Sequence, residues 1–465
     1  MTEQPLILWF RRDLRLGDHP MLTAAVATGR PLLPVFIMDP ETEALGAAPR
    51  WRLGLSVAAF AAQLAERGLR LTLRRGEALT VLRGLVAETG AQAVFWSRLY
   101  DPASRRRDEA VKAALKADGG TARSFAGHLL HEPWTVATGD GGFYKVYTPY
   151  WRAVRDREVR VELPAPQAMR GVAGWPLSDD LAAWNLGAAM GRGEAVVLPW
   201  QTIGEGAAAE RLRGFLAAKV PQYQVLRDFM AEEASSGLSE NLTYGEISPV
   251  QVWHGGWRAL QEGAAGAEHF LKELVWREFA SALAYHSPHI VSRNWREGWD
   301  SFPWRADNPQ AEAWRRGMTG EPVVDAAMRQ MYVTGTMHNR ARMIVASYLT
   351  KHLLTDWRVG LDWFAECLTD WDPASNAMGW QWVAGSGPDA APYFRIFNPA
   401  TQAEKFDPDG LYRKRWLNPA SMQARAYFDA APLAWQLRDA AYPQPLIALA
   451  DGRARALDAL SQRKA

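Results

Sequence analysis

The hydrophobic pattern changes its period part-way along the chain, and that change restricts the fold more than any other feature. From Pro5 to about His131, short apolar runs (Leu6 to Phe10, Leu32 to Met38, Leu69 to Leu73, Ala91 to Trp96) alternate with stretches such as Arg52 to Arg67 and Ser104 to Lys116, whose apolar residues recur at helical spacing. Strands separated by helices of about ten or more residues require right-handed crossovers. This part therefore reads as a doubly wound parallel α/β domain, with any ligand beyond the carboxyl ends of the strands. After Glu205 the strand signal fades and helical stretches dominate, among them Glu268 to His286, Val323 to Val333 and Met337 to Leu354, which predicts a larger all-α domain. Between them lie Gly- and Pro-containing segments such as Gly139-Asp140-Gly141-Gly142 and Pro164-Ala165-Pro166. The expected division is 1–131 α/β, 132–204 interdomain connector and 205–465 helical.

A chain of 465 residues is long enough for two cores. It has no apolar run of about eighteen residues and no basic-then-apolar start, so a soluble, cytoplasmic protein is expected. The single cysteine, Cys367, rules out an internal disulfide and a multi-cysteine metal site; no metal is expected, and the thiol reads as a small buried hydrophobe. A net charge of +2 means that any basic surface is local. The 22 tryptophans exceed what core packing needs, because each indole N–H wants a partner; they call for a chemical explanation.

Several clusters can carry chemistry, each with a structural alternative. Arg11, Arg12, Asp13 and Arg15 follow the first strand, where they either face a ligand or tie a loop down as ion pairs. Tyr223 and the run Ser235-Ser236-Gly237-Leu238-Ser239 suit either a phosphate or a helix cap. Spacing of three and four puts Glu273, Trp276 and Arg277 on one helical face, able to stack on a base, bond its edge and hold a phosphate, or else to form an intrahelical pair beside a core Trp. Asn339 and Met343 share a face one turn apart, as pocket lining or as core. Asp370, Asp372, Asn376, Trp380 and Trp382 crowd one short stretch; a buried acid there must be paired, and Arg342 is the chosen partner.

The strings FRRDLRL, ELVWREF, PVVDAAMRQ, MHNRARM, GWQWVAGSG and PYFRIFNPATQAEKFD, in this order from about residue 6 to 410, closely resemble the microbial class I photolyases of the photolyase/cryptochrome superfamily. The resemblance implies light-driven repair of cyclobutane pyrimidine dimers, by electron transfer from excited reduced FAD to a flipped-out dimer; photolyases are among the enzymes known to extrude their target. It implies FAD held by Tyr223, Ser235, Ser236, Gly237, Leu238, Ser239 and Phe270 together with Arg342, Asp370 and Asp372, with Asn376 at flavin N5. Glu273 would hydrogen-bond the lesion, Trp276 and Trp382 would wall it, Asn339 and Met343 would touch it, and Arg227, Arg277, Arg340 and Gln402 would bind the DNA. Trp380, Trp357 and Trp304 match a relay that carries electrons from the surface to oxidised flavin, with Trp299 nearby in sequence. UV-damaged DNA is the implied partner, with a monomer, no obligate protein partner, no membrane, and nucleoid association when bound to DNA.

Three positions depart from the family pattern. Gly237 stands where many relatives have Arg. Ala103 and Ser104 replace the Asn-Glu pair of folate-binding relatives, which leaves the antenna open between 8-hydroxy-deazaflavin, methenyltetrahydrofolate, a second flavin and an empty pocket. Pro373 removes a backbone N–H beside the flavin stretch. The rival reading is a blue-light-sensing cryptochrome without repair activity, against which stand Asn376, where plant cryptochromes carry Asp, and the retained lesion residues. Repair of (6-4) photoproducts would call for His at position 343, and a single-strand-preferring enzyme for a more polar residue than Trp382.

Overall fold

A computed structural model describes residues 4–389, 394–437 and 441–463. Five parallel strands, β1 (Leu6–Phe10), β2 (Leu32–Met38), β3 (Thr72–Arg75), β4 (Ala93–Ser97) and β5 (Thr121–Phe125), pair in the order β3-β2-β1-β4-β5. Alternate residues of β1 enter different cores. Leu6, Leu8 and Phe10 pack with Leu53, Val57 and Phe60 of α1 (Ala47–Ala65), while Ile7 and Trp9 pack with Leu82 and Leu85 of α2 (Ala78–Thr89) and Val111 and Leu115 of α3 (Pro102–Ala117). Helices on both faces explain why the central strands are apolar throughout. The fifth strand gave no apolar run, because in the edge segment Thr121-Ala122-Arg123-Ser124-Phe125 only Ala122 is buried.

The stretch 132–204 is docked rather than strung between domains. Leu163 and Arg170 accept backbone hydrogen bonds from Asp18 and Leu32 (2.8 and 2.7 Å), and Trp184 lies in the α/β core. Tyr147, Tyr150 and Trp151 of α4 (Tyr147–Val154) join the helical core instead. Buried Arg192 donates to the carbonyls of Met331 and Tyr332 (3.1 and 2.8 Å) and of Cys367 (2.7 Å). It thereby satisfies groups that two helix ends leave without partners. Cys367 is buried, and burial pushes its thiol up to about 12.

The helical part contains α5 (Ser239–Tyr244), α6 (Ala267–His286), α7 (Pro322–Thr334), α8 (Asn339–Ser347), α9 (Trp357–Cys367), α10 (Pro373–Ala384) and α11 (Pro399–Phe406). The chain continues from α8 into a π-helical turn, Tyr348–His352. Among the described residues no helix is long and apolar enough to cross a membrane. The two domains are welded by Arg52 of α1, whose guanidinium meets Glu246 at 2.8 Å with both side chains fully buried. Arg15 adds a bond to the carbonyl of Gly245 at 3.0 Å. Gly245, at φ +68°, lies so close to Arg12 that a Cβ would strike the backbone. Arg52→Met leaves Glu246 as a buried unpaired acid and is expected to cost about 3–5 kcal/mol. Urea unfolding checks this, and Arg52→Met combined with Glu246→Gln should recover much of the loss.

Candidate active site

Asp370 follows α9 and is held against the end of α7: Thr369 N–H donates to the carbonyl of Gly335 at 2.8 Å, and Gly335 adopts φ +74°. The expected pair forms. Arg342 of α8 donates through Nη2 to both carboxylate oxygens of Asp370, at 3.0 and 2.8 Å, and through Nε to the Met337 carbonyl at 2.9 Å. Asp372 caps α10, accepting from Ser375 N–H at 2.8 Å, and its other oxygen lies 3.9 Å from Arg12. Pro373 is the first residue of that helix, where an N–H has no helical partner, so the expected disturbance is absent. Asn376, one turn on, donates Nδ2 to the Leu361 carbonyl at 3.1 Å.

The Ser235–Ser239 turn adjoins this acid pair, because α5 bonds directly to the segment carrying it. Thr243 Oγ1 donates to the Asp370 carbonyl at 3.2 Å and Tyr244 O–H to the Thr369 carbonyl at 2.6 Å. Ser235, Gly237 and Ser239 are exposed, Leu238 is buried, and Gly237 sits at φ +66°. Where many relatives have Arg, Gly237 is flanked by Arg211, which donates to its carbonyl at 2.6 Å. Tyr223 and Phe270 are buried and pack edge to face at 6.0 Å. Glu240, enclosed behind the turn, has its carboxyl pushed up to about 7 by burial, with Arg52 and a Thr369 hydroxyl hydrogen bond opposing the rise.

On α6 the expected single face is only partly realised. Glu273 pairs with Arg227, and His269 lies 3.6 Å from it. Trp276 stacks on Tyr147, with centroids 3.7 Å apart and planes 7° from parallel. Arg277 turns away, donating to the carbonyl and Nε2 of His128 at 2.7 and 2.8 Å. Its donors are taken by the 128 loop of the α/β domain, as those of Arg227 are taken by Glu273. Arg340 bonds Asp228 at 2.6 Å, and Arg227 approaches Asp228 at 3.9 Å, so an alternating line Arg340, Asp228, Arg227, Glu273 joins α8 to α6. Asn339 is exposed at the start of α8 and Met343 is half-buried one turn later. Trp382 is half-buried under Arg395, 5.3 Å from its ring. Gln402 on α11 keeps a buried Oε1 without a partner. Pro392 and Tyr393 of the last motif lie outside the described residues.

The three tryptophans expected to form a relay lie on or beside α9. Trp380 of α10 lies over Gly360, where a Cβ would run into its ring. Trp357 begins α9 and is fully buried. The Arg305↔Thr355 bridge then draws the half-buried Trp304 alongside the start of that helix. Trp299 is more deeply buried and stacks on Trp304 at 6.2 Å.

Beyond β1 and β4, where an open α/β sheet takes ligands, the arginine cluster ties loops together. Arg11 bonds Asp108 at 2.9 Å, Arg107 bonds Asp39 at 2.7 Å, and Trp9 lies under both guanidinium groups. Arg12 of the cluster approaches Asp372 of the helical domain at 3.9 Å. Ala103 and Ser104 lie in the first turn of α3, where the Ser104 N–H is held by the Asp101 cap.

Sequence reasoning missed Tyr147, Arg211 and Asp228. The aromatic string Tyr144 to Trp151, unusual inside a Gly- and Pro-containing stretch, was the available signal for Tyr147; the others carried none.

The residues present fit FAD. An exposed turn of small residues with a positive-φ glycine and an adjacent arginine suits a diphosphate. Beside it lie a partly buried Arg–carboxylate pair and an amide, a donor and acceptor set matching a flavin's polar edge. Fold and site thus define a two-domain flavoprotein. A family model described as DNA photolyase matches residues 6–167, and one described as the FAD binding domain of DNA photolyase matches residues 270–462. A deoxyribodipyrimidine photo-lyase from Agrobacterium fabrum is 45% identical over 99% of this chain and 98% of its own length. A crystal structure of a class III photolyase from Agrobacterium tumefaciens superposes with a TM-score of 0.91 at 44% identity, covering 99% of this chain and 98% of that one. Cryptochrome-1 of Arabidopsis thaliana is 33% identical over 98% of this chain and 70% of its own length. The chain belongs to the photolyase/cryptochrome family, and FAD is its cofactor.

Proposed function

We propose that this protein is a deoxyribodipyrimidine photo-lyase that repairs cyclobutane pyrimidine dimers with light. The observation that carries the reading is Glu273 and Trp276 on α6, with Trp276 stacked on Tyr147 of α4, joined through Arg227 and Asp228 to Arg340 at the start of α8. An acid beside an aromatic wall and two arginines offers a flipped dimer a hydrogen-bond partner, an apolar surface and phosphate contacts. Before DNA arrives, Arg227 and Arg340 are neutralised by Glu273 and Asp228, so binding exchanges those partners for phosphates. Asn339, Met343, Trp382, Gln402 and Arg277 would complete the contacts, Arg277 by exchanging His128 for phosphate.

When bound and reduced, FAD supplies the photoexcited electron that opens the cyclobutane ring and takes it back afterwards. The chain's own residues orient and protect. Tyr223, Phe270, the Ser235–Ser239 turn and Arg211 would hold the diphosphate end, and Arg342, Asp370, Asp372 and Arg12 the flavin and adenine side. Asn376, whose Nδ2 is engaged with Leu361, would offer Oδ1 to the flavin N5–H, an acceptor that gives up no proton. Glu273 would hydrogen-bond the pyrimidines as charge develops on them. Trp304, Trp357 and Trp380 would recharge oxidised enzyme.

The subclass we propose is class III in place of class I; the Agrobacterium tumefaciens structure, at 44% identity, supports it. The test is blue illumination of the purified protein with a reductant and dimer-containing DNA, watching base absorbance recover. FAD that photoreduces while no absorbance returns would overturn the reading in favour of a cryptochrome. Glu273→Ala is expected to lower the repair quantum yield several-fold, on the order of tenfold for one lost charge-assisted hydrogen bond, with the flavin spectrum intact. An unchanged yield would remove Glu273 from the lesion site.

A further inference from the structure

Among the three relay tryptophans, the described structure gives a hydrogen-bond partner to one indole alone. Trp304 Nε1 and Trp380 Nε1 are buried without an acceptor. Trp357 Nε1 donates to Asn294 Oδ1 at 2.9 Å. Asn294 is itself buried, in a loop that joins two short 3-10 turns. The orientation of its amide is not arbitrary, since Nδ2 donates to Asp300 Oδ1 at 2.7 Å and so turns Oδ1 toward the indole. The loop is fastened by Gln381, the residue after Trp380. Gln381 Nε2 donates to the carbonyls of Ile290 and Arg293 (2.6 and 2.8 Å), and its Oε1 accepts from Trp295 N–H at 2.8 Å.

We infer that Asn294 is a positioning residue of the electron relay: its amide oxygen stabilises the positive hole while it resides on Trp357 and denies the indole N–H a proton acceptor. The inference rests on the relay reading given above. An indole that loses one electron becomes a cation radical, and its N–H becomes a strong acid. A hydrogen bond to a carbonyl-type oxygen stabilises that charge, more so where water is excluded. Trp380 and Trp304 lack such a bond, so a hole arriving from Trp380 finds its first stabilised stop at Trp357. A carboxylate or imidazole there would take the proton, leaving a neutral radical that no longer passes the hole to Trp304 without recovering it. A neutral amide takes no proton. The electrons balance: oxidised, photoexcited flavin gains one electron from Trp380, Trp380 regains it from Trp357, Trp357 from Trp304, and Trp304 from an external thiol reductant. No proton leaves Trp357 at any stage.

The experiment compares FAD-loaded wild type with Asn294→Leu, Asn294→Asp and Trp357→Phe; retained flavin absorbance shows that each variant folds. In the dark, the indole N–H stretch or nitrogen resonance of Trp357 should move to an unbonded position in Asn294→Leu. After a light flash, Asn294→Leu is expected to lose about five- to tenfold in photoreduction yield, the size of one hydrogen bond to a charged group. Asn294→Asp should replace the tryptophan cation-radical absorption with that of the neutral radical. An unshifted Trp357 signal in Asn294→Leu, or wild-type yield together with a wild-type radical spectrum in Asn294→Asp, would overturn the inference. Trp357→Phe separates the two levels: if it still photoreduces, the relay reading itself falls and takes the role of Asn294 with it. If Trp357→Phe is silent and both Asn294 variants behave as wild type, only the role of Asn294 falls.

Discussion

Trp304→Phe is expected to leave chemically reduced enzyme competent for repair and to bring photoreduction of oxidised enzyme down to background. Trp304 is half-buried, and in the proposed series Trp380, Trp357, Trp304 it would be the indole that an external reductant refills. A phenyl ring is far harder to oxidise and stops the transfer while conserving most of the packing with Phe302, 4.3 Å away. Blue illumination with a thiol, followed through loss of the oxidised flavin band, checks this. Photoreduction that persists would redirect the exit to Trp299, stacked on Trp304 at 6.2 Å, and Trp299→Phe would then show the loss.

Arg342→Met is expected to yield protein that loses FAD. Asp370 is 8% exposed and receives two bonds from Arg342, so removing the guanidinium leaves a nearly buried carboxylate without its cation. Truncating one member of such a pair costs about 2–5 kcal/mol, and a loss of about 2 kcal/mol at the bound state corresponds to roughly 30-fold weaker binding. Titration of apoprotein with FAD measures it, and Arg342→Lys should restore part of the affinity by keeping the charge without the fork. Tight binding by Arg342→Met would mean that the pair serves the fold alone.

Much of this was legible before any coordinates. The runs from Leu6 to Phe10 and Leu32 to Met38 announced buried parallel strands, because a strand covered on both faces has no polar side to interrupt it. The partnership of Arg342 with Asp370 followed from the cost of burying an acid alone. Edge strand β5 stayed hidden because a strand at the rim of the sheet buries almost nothing. The helical spacing of Glu273, Trp276 and Arg277 gave their angles about one axis but not their neighbours, and His128, supplied by another domain, turned Arg277 away.

By itself, then, the sequence determined the two kinds of domain, the cofactor class and the stretches that carry the site, because periodicity and short motifs are local properties of the chain. The tertiary structure decided which side chains meet. Tyr147 slides under Trp276, Arg211 reaches Gly237, Arg12 approaches Asp372 and Asn294 receives the Trp357 indole. Each of these contacts joins segments separated by many residues, and no local pattern encodes such a meeting; it exists only once the helices and the sheet have packed.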